Sequence, residues 1–174
     1  MRRISLNTRR HYEAETGGDV EMALLQFEHA SLATPLRLST DPTERLSTDP
    51  LRYGTRSTWN GADPLTEPYL FIIASAEFPG DQEDGATPAT LVLQNIHAGI
   101  GRVLTSFTDR ATCHLGGVFA DAPNEIVAEV RNLKLVSARG NEDEFVLTLE
   151  HAAIGEETVP WQRMTATTFP GLFR

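Results

Sequence analysis

Apolar residues recur at every second position through much of this 174-residue chain. That rhythm suits extended strands and not helices, because successive side chains on a strand point to opposite faces. Ala23, Leu25 and Phe27 alternate with Leu24, Gln26 and Glu28, the pattern of a half-buried strand. Leu36 and Leu38 flank Arg37 in the same way. Ile126, Ala128 and Val130 alternate with Glu129 and Arg131 and run on through Leu133, Leu135 and Val136, and Phe145, Leu147 and Leu149 form the returning strand. Tyr69 to Phe78 is apolar on both faces and reads as a central strand covered on two sides. Ala89 to Ile96 is a further strand, and Ala111 to Ala120 is another, bent or bulged at Gly116-Gly117.

Polar, Gly- and Pro-marked stretches separate these runs. Gly80 to Pro88 and Arg139 to Asp143 have the composition of exposed hairpin tips, and Asp121 to Asn124 that of a turn. One helix interrupts the pattern: Ile100, Val103, Leu104 and Phe107 fall on a single helical stripe. It spans about three turns and needs a sheet beneath its apolar face to persist. The predicted fold class is mainly β, an antiparallel β-sandwich or barrel with one short capping helix and an arm at each end. The arms are residues 1–19 and 158–174, and the β-rich domain lies between, over 20–157.

Hydrophobic residues make up 40% of the chain and charged residues 22%, enough for one buried core. No apolar run approaches the ~20 residues of a membrane span, and MRRISLNTRR lacks the apolar segment of a secretory signal. The net charge of −9 includes +4 from Arg2, Arg3, Arg9 and Arg10, so the remainder carries −13. A body that acidic is repelled by phosphate backbones, which argues against direct nucleic-acid recognition.

Chemistry-bearing motifs are scarce. The single cysteine, Cys113, excludes an internal disulfide and any multi-cysteine metal site. It neighbours His114, but adjacent strand residues face opposite ways, so the two cannot act as a nucleophile–base pair. The five histidines show no HExxH and no i, i+4 pairing. Gly99-Ile100-Gly101 lacks the third glycine and the βαβ frame of a dinucleotide site. Asp41, Glu44 and Asp49 lack the alternating ligands of a calcium loop. These readings predict no catalytic residues, no metal, no cofactor and no enzymatic activity.

LSTDP occurs twice, at Leu38–Pro42 and Leu46–Pro50. Each proline drives its aspartate into an extended conformation, so Asp41, Pro42, Asp49 and Pro50 are read as a pair of chain reversals. Asp41-Pro42-Thr43-Glu44 also fits the opening of a helical turn, with Asp as cap and Pro first. The second copy lacks the matching glutamate. At the other end, Trp161, Phe169 and Phe173 punctuate a segment with two prolines and no clean period. Burying three rings stabilises by on the order of 10 kcal/mol, whereas ordering some fifteen residues costs about 1–2 kcal/mol each. This arm therefore needs backbone pairing or a neighbouring subunit, with Phe169, Pro170 and Leu172 as its anchor and Trp161 as a further expected intersubunit contact.

Three blocks, RRISLNTRR at Arg2–Arg10, RLSTDPTERLSTDPLRYGTRS at Arg37–Ser57 and RMTATTFPGLF at Arg163–Phe173, resemble a family of small minor tail proteins of tailed phages and prophages. The middle block is the most specific. The resemblance implies a tail-tip hub component comparable to the lambda minor tail protein L, without that protein's cysteine-ligated iron–sulfur region, which Cys113 alone cannot supply. It further implies assembly in the host cytoplasm and residence in the virion tail tip. The implied partners are copies of itself, with a trimer favoured, together with the distal tail protein, the tape measure and the central tip protein. Arg2, Arg3, Arg9 and Arg10 join the C-terminal anchor as the expected intersubunit contacts. A distal tail ring joining tube to tip, or a small-ligand-binding β-barrel, is the alternative.

Overall fold

The computed structural model describes residues 6–13, 20–77, 89–94, 98–107, 109–140 and 144–151. A short helix, α1 (Leu6–Glu13), precedes β1 (Glu21–Glu28), β2 (Leu36–Ser39), β3 (Glu44–Thr48) and β4 (Leu51–Thr55). A 3₁₀ turn at Trp59–Gly61 leads to β5 (Tyr69–Phe71), β6 (Ile73–Glu77) and β7 (Ala89–Gln94). After α2 (Ala98–Thr105) come β8 (Thr112–Phe119), β9 (Ala122–Gly140) and β10 (Glu144–His151). All ten strands belong to one sheet, ordered β3-β4-β5-β2-β1-β8-β9-β10-β7-β6 and curled into a half-barrel. The mainly β fold class holds, with a single rolled sheet in place of a two-sheet sandwich.

The rolling follows from the connectivity. Tyr69 to Phe78 was expected as one strand, yet the chain breaks at Ile72. β5 lies between β4 and β2, the β2 pairing being parallel, while β6 lies at the opposite end of the sheet on β7. One residue separates these two strands, so the sheet must curl to bring its β6 edge round to β5. The Ile72 N–H donates to the Ser39 carbonyl at 2.8 Å and fixes the crossing.

Two cores result. The concave face collects Leu25, Phe27, Leu91, Leu93, Cys113 and Leu147 with their neighbours, and α2 plugs it through Leu104, with Ile100 and Phe107 packed alongside. The predicted helical stripe thus covers the sheet, although the helix ends at Thr105 and Phe107 follows it. On the convex face, Met22, Leu24, Tyr69 and Val118 lie beneath Trp59 and Ala62 of the connecting segment 56–68. β1 is therefore buried on both faces, a correction to the half-buried reading. Its Gln26 is buried because its side-chain oxygen accepts the Tyr69 hydroxyl at 3.2 Å.

Gly116 of β8 is explained by this second layer. A side-chain carbon at Gly116 would lie 2.9 Å from the Trp59 ring, and the register with β9 slips between Gly117 and Val118. A further irregularity between Cys113 and Leu115 accommodates Asn132 of β9 at φ 61°, a left-handed conformation that asparagine tolerates better than most residues. The expected turn at Asp121–Asn124 is tighter than its composition suggests, since β9 already begins at Ala122.

Candidate interaction surface

The repeated pentapeptide builds two different corners. In the first copy, Leu38 and Ser39 are buried in β2 and Thr40 Oγ1 accepts the Ala23 N–H at 2.9 Å. The buried Asp41 carboxylate then accepts the Thr43 N–H at 3.0 Å and the Thr43 hydroxyl at 2.7 Å. This is an Asx-type corner. The helical turn expected at Asp41–Glu44 does not form, because Glu44 pairs with Gly54 and starts β3. In the second copy, Leu46 to Thr48 lie in β3 and Asp49-Pro50 forms the two-residue tip of the β3–β4 hairpin. The Asp49–Pro50 peptide bond is cis, which places the tip among the turns with cis proline at their third position.

RYGTRS anchors this hairpin to the body. A side-chain carbon at Gly54 would sit 1.9 Å from the Tyr69 carbonyl oxygen, so only glycine permits the pairing of β4 with β5. Thr55 and Ser39 share a hydroxyl–hydroxyl hydrogen bond of 2.8 Å, and the Arg56 guanidinium pairs with Glu44 across the hairpin base. Ser57 donates to the Pro123 carbonyl at 2.7 Å, and Asn124 Oδ1 accepts the Thr58 N–H at 2.8 Å. These two bonds tie the segment to the start of β9. The Tyr69 hydroxyl donates to the Trp59 carbonyl at 2.8 Å, and desolvation raises its pKa to about 12. Arg37, buried on the same face, pairs with Glu67 at 3.1 Å.

The far half of the hairpin projects without such ties. Arg45 and Arg52 are exposed and make no ion pair among the described residues. Leu51 and Tyr53 leave 59% and 39% of their surface open. Together with Pro50, Leu70, Phe71 and Ile100 of α2, β4 borders an open groove of about 460 Å³. Ile73, 47% exposed, follows closely on Phe71. Exposed apolar residues gathered this way mark interaction surfaces.

Elsewhere the side chains are committed to structure. Burial pushes the Cys113 thiol well above its ordinary range, while His114 faces the other way and accepts the Asn132 N–H through Nδ1 at 3.3 Å. No group of three His, Cys, Asp or Glu residues among the described residues is placed to hold a metal ion. No helix among them is long and apolar enough to cross a membrane. A smaller cavity of about 290 Å³ lies near Ala23, Ala74, Leu91 and Gly117.

No family model and no curated protein matches the chain. Of the expected contact residues, Arg9 and Arg10 are exposed on α1. That helix was not anticipated, because LNTRRHYE has no apolar stripe. Its Tyr12 hydroxyl donates to Glu21 at 2.7 Å and tethers it to β1. Arg2, Arg3, Trp161, Phe169, Pro170 and Leu172 lie outside the described residues. Leu51, Tyr53 and Arg52 were not singled out by sequence; the signal was a basic residue between two apolar ones beside a hairpin turn.

Proposed function

We propose that the protein is a non-enzymatic structural component of a phage tail tip, a hub or minor tail protein that forms a ring and connects neighbouring tail proteins. The observation that carries this reading is the position of the most specific block of resemblance. Arg37–Ser57 comprises β2, the Asx corner, the β3–β4 hairpin and its anchor. The block thus combines a firmly held base with an exposed, partly apolar, basic projection, which is what a docking element requires. The ring is a trimer, and its further partners are the distal tail protein, the tape measure and the central tip protein.

Mass spectrometry of purified phage particles tests the assignment. The protein is expected in tails, in a small multiple of three copies, with a threefold ring in averaged end-on images. Its absence from particles overturns the reading, and sixfold averaging favours the distal-ring alternative. The cavity near Ala23 and Ala74 favours a small-ligand barrel as the second reading. Calorimetric binding of a small apolar compound by the isolated protein, with no self-association, would support that instead.

A further inference from the structure

The groove beside β4 is open, Arg52 at its rim makes no ion pair among the described residues, and the chain itself contains a segment with the opposite character. From Glu156 the sequence reads EETVPW: two adjacent carboxylates, then Val159, Pro160 and Trp161. We infer that residues 156–161 of a neighbouring copy dock in the groove between β4, β5 and α2, with Glu156 and Glu157 facing Arg52 and Trp161 covering Leu51 and Tyr53.

Three observations support this pairing. The first is charge: in a chain of net −9, Arg52 at the groove is an exposed cation without an ion-pair partner among the described residues, and opposite charges across an interface steer and align docking. The second is shape and polarity: a groove of about 460 Å³ bordered by Leu51, Tyr53, Leu70, Phe71 and Ile100 suits a large aromatic side chain, the residue type most often found as an interface anchor. A proline before the tryptophan narrows the conformations open to the free segment, which reduces the entropy lost on docking. The third is reach: β10 ends at His151, and the ten residues from there to Trp161 span up to about 35 Å when extended. That is more than the width of a small domain. The choice of a neighbouring copy as donor rests on the ring proposed above; the groove and its charge match do not.

The test uses the full chain with Leu51→Cys and Thr158→Cys together, oxidised mildly. Cys113 is buried and its thiol is held protonated, so it stays silent. The expected result is covalent dimers and higher species on a non-reducing gel, absent from either single variant. No disulfide at all overturns the docking. A disulfide confined to single chains shows the groove filled by its own segment and overturns the neighbouring donor. A second arm reads the charges: Arg52→Glu is expected to weaken self-association at least tenfold by sedimentation, and adding Glu156→Arg and Glu157→Arg to restore it. Failure of restoration overturns the pairing. Cross-linked multimers from a protein absent from phage particles would preserve this inference while removing the tail-tip reading.

Discussion

At the scale of single residues, the convex face depends on a few close approaches. Gly116 lies directly beneath Trp59, so Gly116→Val forces the indole off the sheet. Overpacking of this kind costs about 1–3 kcal/mol, measured as a lower urea midpoint at unchanged slope. Tyr69 provides a titratable probe of the same layer. Its hydroxyl is buried and donates to the Trp59 carbonyl, and its pKa is raised to about 12. A folded pKa above the unfolded one, 10.0, means that the native state holds the proton longer. The stabilisation is complete below pH 10 and declines as pH rises from there through about 12. Tyr69→Phe should destabilise at neutral pH by about 1–3 kcal/mol, because the Trp59 carbonyl loses its buried donor. It should also flatten the alkaline decline, read from denaturation curves at pH 9 to 11.5. A variant declining as steeply as the parent would place the alkaline sensitivity elsewhere.

At the scale of elements, the two LSTDP copies should respond differently to the same change. Asp41→Ala removes both acceptors from Thr43 in a buried corner and should cost about 1–2 kcal/mol. Asp41→Asn keeps the acceptor for the Thr43 N–H and should cost less. Asp49→Ala at the exposed tip should stay within about 0.5 kcal/mol. Thermal unfolding of the three variants separates the cases, and equal losses at both aspartates would contradict the geometry. The identity of the two pentapeptides in sequence hides this difference, because burial of the first is decided by β1 alongside it and not by its own residues. The same limit applies to other elements. Alternation made β9 and β10 legible, and a 3.6-residue stripe did so for α2, since each carries its period locally. The break at Ile72 was not legible: Tyr69 to Ala74 is apolar throughout, and only pairing with distant strands divides it. Gln26 read as solvent-facing because its partner Tyr69 lies 43 residues away. The groove escaped notice because it joins residues 50–53, 70–71 and 100, none of which shares a pattern with the others.

At the scale of the whole molecule, the cores of the described residues draw on positions from Met22 to Leu149. Deleting residues 165–174 leaves every one of these side chains in place. The truncated protein should unfold within a few degrees of the parent but lose self-association in a sizing experiment; outright unfolding would make the C-terminal segment part of the core. The crossing at Ile72 bears on how such a molecule comes together. β1 to β5 occupy residues 21–71 and find one another over short chain separations, and β8 to β10 form a meander of their own. β6 is held beside the first group by a single residue, yet its hydrogen-bonded partner β7 belongs to the second. Neither group can place β5 and β6 correctly until β1 has found β8 and β7 has found β10. Those contacts close long loops, whose entropy is lost before they stabilise anything. Folding should then be slow and all-or-none, on the millisecond-to-second scale of sheet proteins dominated by distant pairings. Amide exchange should report the consequence: the β1–β8 and β7–β10 ladders, which share no strand and are separated by β9, should open together and at the same free energy.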